Sequence, residues 1–135
     1  MSKGVFNVPV ATNEPVLSYA PGTPEREEVL ATYKSMYNSK IDVPMYIGSE
    51  QIMTDNKKSM TPPHDHQHVL GHFSYGDKSH VEQAIDSALA AREEWANMAW
   101  EQRVSIFLKA AELLAGPFRA RVNASTMLAQ SKNVM

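Results

Sequence analysis

Cysteine is absent from all 135 residues, which removes disulfides, thiolate metal sites, redox pairs and every mechanism that starts from a cysteine nucleophile. No apolar run reaches the roughly 18 residues that a membrane-spanning helix needs. An excess of one charge is also missing, since 13 Lys and Arg stand against 15 Asp and Glu, for a formal net charge of −2. That balance offers no cationic surplus to neutralise phosphates, so neither nucleic acid nor a membrane is an expected partner. Glycine is sparse, with six residues at positions 4, 22, 48, 71, 76 and 116. No two of them have the spacing of a dinucleotide fingerprint or a phosphate-cradling loop. Metalloprotease H-E-x-x-H and nucleophile-elbow G-x-S-x-G motifs are absent as well. Met1 to Pro9 carry neither the apolar stretch of a signal peptide nor an Arg-rich presequence pattern, which reads as a cytoplasmic protein.

What is present is the composition of a globular segment, 43% hydrophobic and 21% charged, amounting to one domain or less. Pro9, Pro15, Pro21, Pro24, Pro44, Pro62 and Pro63 crowd the first 63 residues, and alanine concentrates after Ala84. Residues 1–22 read as an extended arm that must find hydrogen bonds elsewhere. Thr23, Pro24 and the acids Glu25, Glu27 and Glu28 signal a helix start. The helix runs to about Asn38, with Val29, Tyr33, Met36 and Tyr37 on one face. Between Val43 and Tyr75, short Val-, Ile-, Tyr- and Met-rich stretches broken by Gly48-Ser49, Asp55-Asn56 and Pro62-Pro63 predict two or three antiparallel strands. Asp77 then caps a helix with the stripe Val81, Ile85, Leu89 and Trp95. A second helix, 100–115, presents Val104, Phe107, Leu108 and Leu114 and stops at Gly116-Pro117. A third begins near Pro117, and nothing in Ser131 to Met135 closes it, so the polypeptide is expected to continue beyond this point.

Chemistry-bearing residues are few. Glu82, Asp86 and Glu93 read as solvated charges on a helix face. Arg119 and Arg121 beside Phe118 are too small a cationic footprint for a stacking surface on single strands. His64, His66 and His68 would share a face about 6.6 Å apart if the segment were a strand, and His72 is near. Pro62-Pro63 interrupts such a strand, so the expected arrangement is a polar turn capped by Asp65, with the histidines toward water. The runner-up reading is a small helical binding module that holds a metal or partner through this cluster. Trp95 and Trp100 read as packing between helices.

Residues 13–26, Asn-Glu-Pro-Val-Leu-Ser-Tyr-Ala-Pro-Gly-Thr-Pro-Glu-Arg, resemble the amino-terminal arm of the 1-pyrroline-5-carboxylate dehydrogenases, a branch of the aldehyde dehydrogenase superfamily. Ile47-Gly48, the hairpin region 60–75, the helix from Ala84 to Trp95, and Arg103 followed by Ile106 to Leu114 look like the superfamily's opening hairpin and first helices. Gly116 to Ala120 and Thr126 to Lys132 again resemble the dehydrogenase branch, so the likeness runs from about Val8 to Met135. Near Lys132 the wider superfamily often has Glu-x-Gly-Lys, and Ser131 takes the glycine's place.

The resemblance implies a parent enzyme that oxidises L-glutamate γ-semialdehyde to glutamate with NAD, through a catalytic cysteine and an assisting glutamate, in proline catabolism. Those groups lie beyond this chain, so no catalytic, cofactor-binding or metal residue is assigned here. The chain alone is expected to be inactive and to carry no cofactor. The expected fold is mostly α with a short antiparallel β hairpin, the N-terminal part of an α/β aldehyde dehydrogenase fold without its Rossmann-like core. Residues 1–22 form the arm, and 23–135 an incomplete N-terminal portion of the NAD-binding domain. The two helices 77–98 and 100–115 are expected to pack as an antiparallel pair. Expected partners are the remainder of the parent enzyme and, through uncovered apolar faces, further copies of the fragment.

Overall fold

A computed structural model describes residues 9–134. The arm before residue 9 lies outside the described residues. Residues 9–20 adopt no regular element, but the end of the arm is tied down within the same chain. The Tyr19 carbonyl accepts from Arg26, and its hydroxyl accepts from Asn123 at 3.0 Å. Arg119 reaches the carboxylate of Glu14 at 3.6 Å.

Helix α1 spans Pro24–Tyr37. Proline in its first turn tolerates the missing N–H, and Glu25 and Glu27 favour the positive end of the dipole. Thr23 sits at the cap position, yet its hydroxyl donates back to the Ala20 carbonyl instead of capping the helix. At the other end the side chains of Asn38 and Ser39 donate to the carbonyls of Lys34 and Ser35 in the last turn, the former alongside the Asn38 backbone N–H.

Five short strands follow: β1 Ile41–Val43, β2 Met45–Ile47, β3 Glu50–Ile52, β4 Lys57–Met60 and β5 Gly71–Ser74. Hairpin β2–β3 turns at Gly48, whose φ of +60° suits glycine, and β4 pairs antiparallel with β5. Beyond these antiparallel pairs, the sheet order is β1-β5-β4, and β1 runs parallel to β5 with Asp42 opposite His72. Parallel partners need a long crossover, so their pairing leaves no local turn signal in the sequence. Gly71 makes this close approach possible. At its φ of +143°, a Cβ would lie 1.6 Å from the Ile41 carbonyl oxygen.

Helices α2 (Lys78–Asn97), α3 (Trp100–Ala115) and α4 (Arg119–Gln130) complete the chain, and about half of it is helical. Asp77 caps α2 by accepting from the amides of Ser79 and His80. His80 Nδ1 lies 2.7 Å from the Asp77 carboxylate and 3.2 Å from its amide. One nitrogen cannot donate to the first and accept from the second, and the shorter contact to a carboxylate is the stronger, so Nδ1 carries the proton.

The core sits where α1 crosses α4. Val29 (1% exposed) and Ala124 (0%) meet there with Met127, and Tyr19, Tyr33, Met36 and Val134 pack around them. The expected α2–α3 pair does not form. Trp95 and Phe107 approach edge-on at 6.5 Å, but Ile85, Leu89, Phe107 and Leu114 are each more than half exposed. Met98 and Ala99 both have ψ of 136°, so two extended residues carry α3 away instead of folding it back. α2 lies on β2 and α3 beside α4, each with an apolar stripe uncovered. The end of α4 also differs from expectation: Ser131 adopts the left-handed conformation, φ 55° and ψ 30°, and closes the helix without glycine.

This distribution of burial separates two substitutions of similar chemistry. Val29→Ala removes packing from the α1–α4 crossing and should cost about 1.5 to 3 kcal/mol. Leu89→Ala on the open face of α2 should stay within about 0.5 kcal/mol in the monomeric chain, diluted below self-association. Urea unfolding midpoints measure both, and equal shifts would place the core elsewhere.

Candidate functional site

The sequence's histidine segment forms two successive turns, closed by Asp65 N–H to the Pro62 carbonyl at 3.0 Å and His68 N–H to the Asp65 carbonyl at 3.2 Å. Pro62 is fully buried and anchors them. Two of the histidines also fasten the turns to α1: His68, which is half-buried, and His64, which stays exposed as expected. The His68 ring stacks on Tyr37 with centroids 3.8 Å apart, and its Nε2 donates to the Tyr37 carbonyl at 2.7 Å. His64 Nε2 is hydrogen-bonded to the Tyr33 hydroxyl at 3.0 Å and Nδ1 to the Ser131 hydroxyl at 2.9 Å. His66 is exposed, and His72 lies on β5 beside Asp42 at 3.2 Å. Among the described residues no three His, Asp or Glu side chains come together in an arrangement that could hold a metal.

Asp65 joins the same cluster by accepting from the Tyr37 hydroxyl at 2.6 Å. That bond, helped by the amides of Gln67 and His68, holds the carboxyl below the usual carboxylate range against a smaller desolvation effect. The same bond pushes the Tyr37 hydroxyl up, because an ionised phenol would face the carboxylate. Across the sheet Lys57, then His72, lower Asp42 in the same way. These are structural carboxylates. None stands beside a nucleophile and a base in the geometry that acyl or hydride chemistry requires.

Between α1, α4 and the strands lies a cleft of about 920 Å³ lined by Met36, Ile41, Met60, Leu70 and Leu128, with Arg121 the one charged side chain on its wall. It is open to solvent, and Ser35, Ser39, Ser59 and Ser125 add hydroxyls to a wall that can receive apolar groups. At the starts of α1, α2 and α3 a pyrophosphate would meet negative charge, since Glu25, Glu27 and Glu101 occupy first turns and the Asp77 carboxylate already takes the amides that begin α2, whereas the first turn of α4 carries Arg119 and no acid.

Sequence reasoning placed Tyr33 and Tyr37 in the apolar stripe of α1 and missed that their hydroxyls organise the histidine turns. The usable signal was the residue type, since a half-buried tyrosine needs a partner for its hydroxyl.

Residues 52–133 match the model of the aldehyde dehydrogenase family. The Delta-1-pyrroline-5-carboxylate dehydrogenase of Agaricus bisporus is 42% identical over 129 residues, covering 95% of this chain and 24% of the relative. The mitochondrial Delta-1-pyrroline-5-carboxylate dehydrogenase of Homo sapiens is 40% identical over 123 residues, covering 91% of this chain and 22% of its own. The crystal structure of the Delta-pyrroline-5-carboxylate dehydrogenase from Mycobacterium tuberculosis, bound with NAD and cobalamin, superposes with a TM-score of 0.93 at 37% identity. That superposition covers 99% of this chain and 25% of the other. The chain thus spans about a quarter of the length of these relatives. No helix among the described residues is long and apolar enough to cross a membrane.

The Tyr37–Asp65 bond has a pH signature. A carboxyl whose folded pKa is depressed stabilises the fold above its ordinary pKa, and that contribution is lost as pH falls through the folded value. Tyr37→Phe removes the first cause of the depression, so the Asp65 titration should move up toward the ordinary carboxylate range, and the stability lost on acidification should shrink, flattening the acid limb of the stability curve. Carboxyl-carbon NMR titration reads the first effect, and an unmoved Asp65 would show that the turn amides alone hold it.

Proposed function

The chain belongs to the aldehyde dehydrogenase family, and from that premise we propose that it is the N-terminal portion of an NAD-dependent 1-pyrroline-5-carboxylate dehydrogenase. The whole enzyme oxidises L-glutamate γ-semialdehyde to glutamate, a step of proline breakdown. The likeness of 99% of this chain to a quarter of the Mycobacterium tuberculosis dehydrogenase carries this reading. Within it, residues 1–22 serve as an arm and 23–135 as an incomplete portion of the NAD-binding domain.

The contribution of this segment is scaffold, not chemistry. Aldehyde oxidation through a covalent thiohemiacetal needs a thiolate, and the chain has no cysteine. What it supplies is a rigid α1–α4 crossing with a small sheet at its side, and two helices whose apolar stripes await cover. Ile85, Leu89, Val104, Phe107, Leu108 and Leu114 are exposed among the described residues. Burial of a leucine-sized side chain stabilises by about 1.5 to 3 kcal/mol, so these stripes drive association with whatever apolar surface is offered. In the whole enzyme the remaining polypeptide offers that surface. For the 135-residue chain alone it is a second copy.

Two measurements test the reading. The full-length polypeptide should form NADH from L-glutamate γ-semialdehyde, whereas the 135-residue chain should form none above a protein-free blank. NADH from the short chain, or a full-length protein inert toward this aldehyde, would overturn the assignment. Sedimentation at micromolar concentration should show the short chain self-associated, and Phe107→Ser with Leu108→Ser should shift it toward monomer. A clean monomer with a cooperative thermal transition would mean the fragment closes its own core.

A further inference from the structure

Two non-glycine residues among those described have positive φ, Tyr19 at 50° and Ser131 at 55°. Such a backbone is disfavoured for a residue with a Cβ and persists where surrounding contacts determine it. For Ser131 the contacts are visible. Its hydroxyl is bonded to His64 Nδ1 at 2.9 Å, and His64 Nε2 to the Tyr33 hydroxyl at 3.0 Å. Three segments remote in sequence therefore meet in one hydrogen-bonded line: the middle of α1, the double turn after Pro62 and the exit of α4. The turn that presents His64 is itself held on either side, by buried Pro62 and by the contacts of Asp65 and His68 with Tyr37. The reversal at Ser131 returns the chain to the body, and Val134 packs back against the Val29, Ala124 and Met127 core.

We propose that Tyr33, His64 and Ser131 form a latch that holds the left-handed residue closing α4 and thereby fixes the direction in which the polypeptide runs on from it. His64 is the positioning residue, since it alone touches both hydroxyls. Each hydroxyl can donate or accept, so either tautomer of His64 completes the line.

Lys132 gives a direct reading, because it is exposed and immediately follows the latch. A protease must draw its substrate into an extended conformation, so trypsin cleaves there only when the exit opens. Cleavage after Lys109, inside α3, reports loosening of the scaffold in general. In the full-length polypeptide, His64→Ala should raise the rate after Lys132 relative to Lys109 by about tenfold. Ser131→Ala removes the hydroxyl that His64 holds, keeps the Cβ, and should raise the same ratio. With that hydroxyl gone, adding His64→Ala should change the ratio by less than about twofold. Tyr33→Phe, which keeps the ring and deletes the hydroxyl, should raise the ratio in the same direction and serves if His64→Ala fails to accumulate. Equal acceleration at both lysines, multiplicative effects in the double variant, or no change at Lys132 would each overturn the latch. Cleavage requires neither aldehyde nor NAD, so failure here is distinguishable from failure of the functional assignment.

Discussion

The end of the arm, the histidine turns and the chain after α4 all depend on α1 lying across α4. The crossing is narrow at its centre, where fully buried Ala124 lets the helices approach and Val29 fills the space beside it. The other ordered segments are referred to this contact. The arm reaches it through Tyr19, the histidine turns through Tyr33 and Tyr37, and the polypeptide after α4 through Val134. The strands lie alongside, with Ile41 and Met60 walling the same cleft as Met36 and Leu128. A small apolar contact so becomes the reference frame for a chain with few other buried side chains.

The polar groups around the crossing refine that frame. Tyr33 and Tyr37 share one face of α1, their rings 6.2 Å apart, and each puts its hydroxyl on a different part of the turn. Aromatic bodies thus help cover the core while their polar tips hold a loop in place, a division of labour that tyrosine performs and phenylalanine cannot. Two prolines stiffen that loop, so a few hydrogen bonds suffice to fix it. The net effect is a turn that behaves as part of the scaffold.

Much of this was legible in the sequence, for identifiable reasons. Asp77, Pro24 behind Thr23, and Gly116-Pro117 are local signals, and α1 and α2 begin, and α3 ends, where those residues say. Gly48-Ser49 marked the β2–β3 hairpin in the same way. The parallel β1–β5 pair was not legible, because its specification lies in the backbone approach at Gly71 and not in any turn. The partnership of the helices was misread for a related cause. Periodicity identifies an apolar stripe without saying what covers it, and adjacency in sequence favoured pairing α2 with α3. Two extended residues, Met98 and Ala99, reversed that choice. Ser131 was read as leaving α4 open because no glycine stood there, whereas its side chain stabilises the conformation for which glycine is usually selected. Among the described residues Asp42, Asp65, His64, His68 and His72 are engaged in hydrogen bonds that join separate segments of the fold.

The pairing of β1 with β5, and of α1 with α4, bears on how such a polypeptide is made. A ribosome releases residues in order, and a segment can settle only when its partner has emerged. β1 must wait for Gly71 to Ser74, and Val29 must wait for Ala124 and Met127. Helix α2 and hairpin β2–β3, whose contacts are local, can form long before. Between those moments α1 travels as a nascent helix with an unburied face, the state in which chaperone contact and mispairing compete with folding. Synthesis of almost the whole segment is thus a precondition for closing the α1–α4 core.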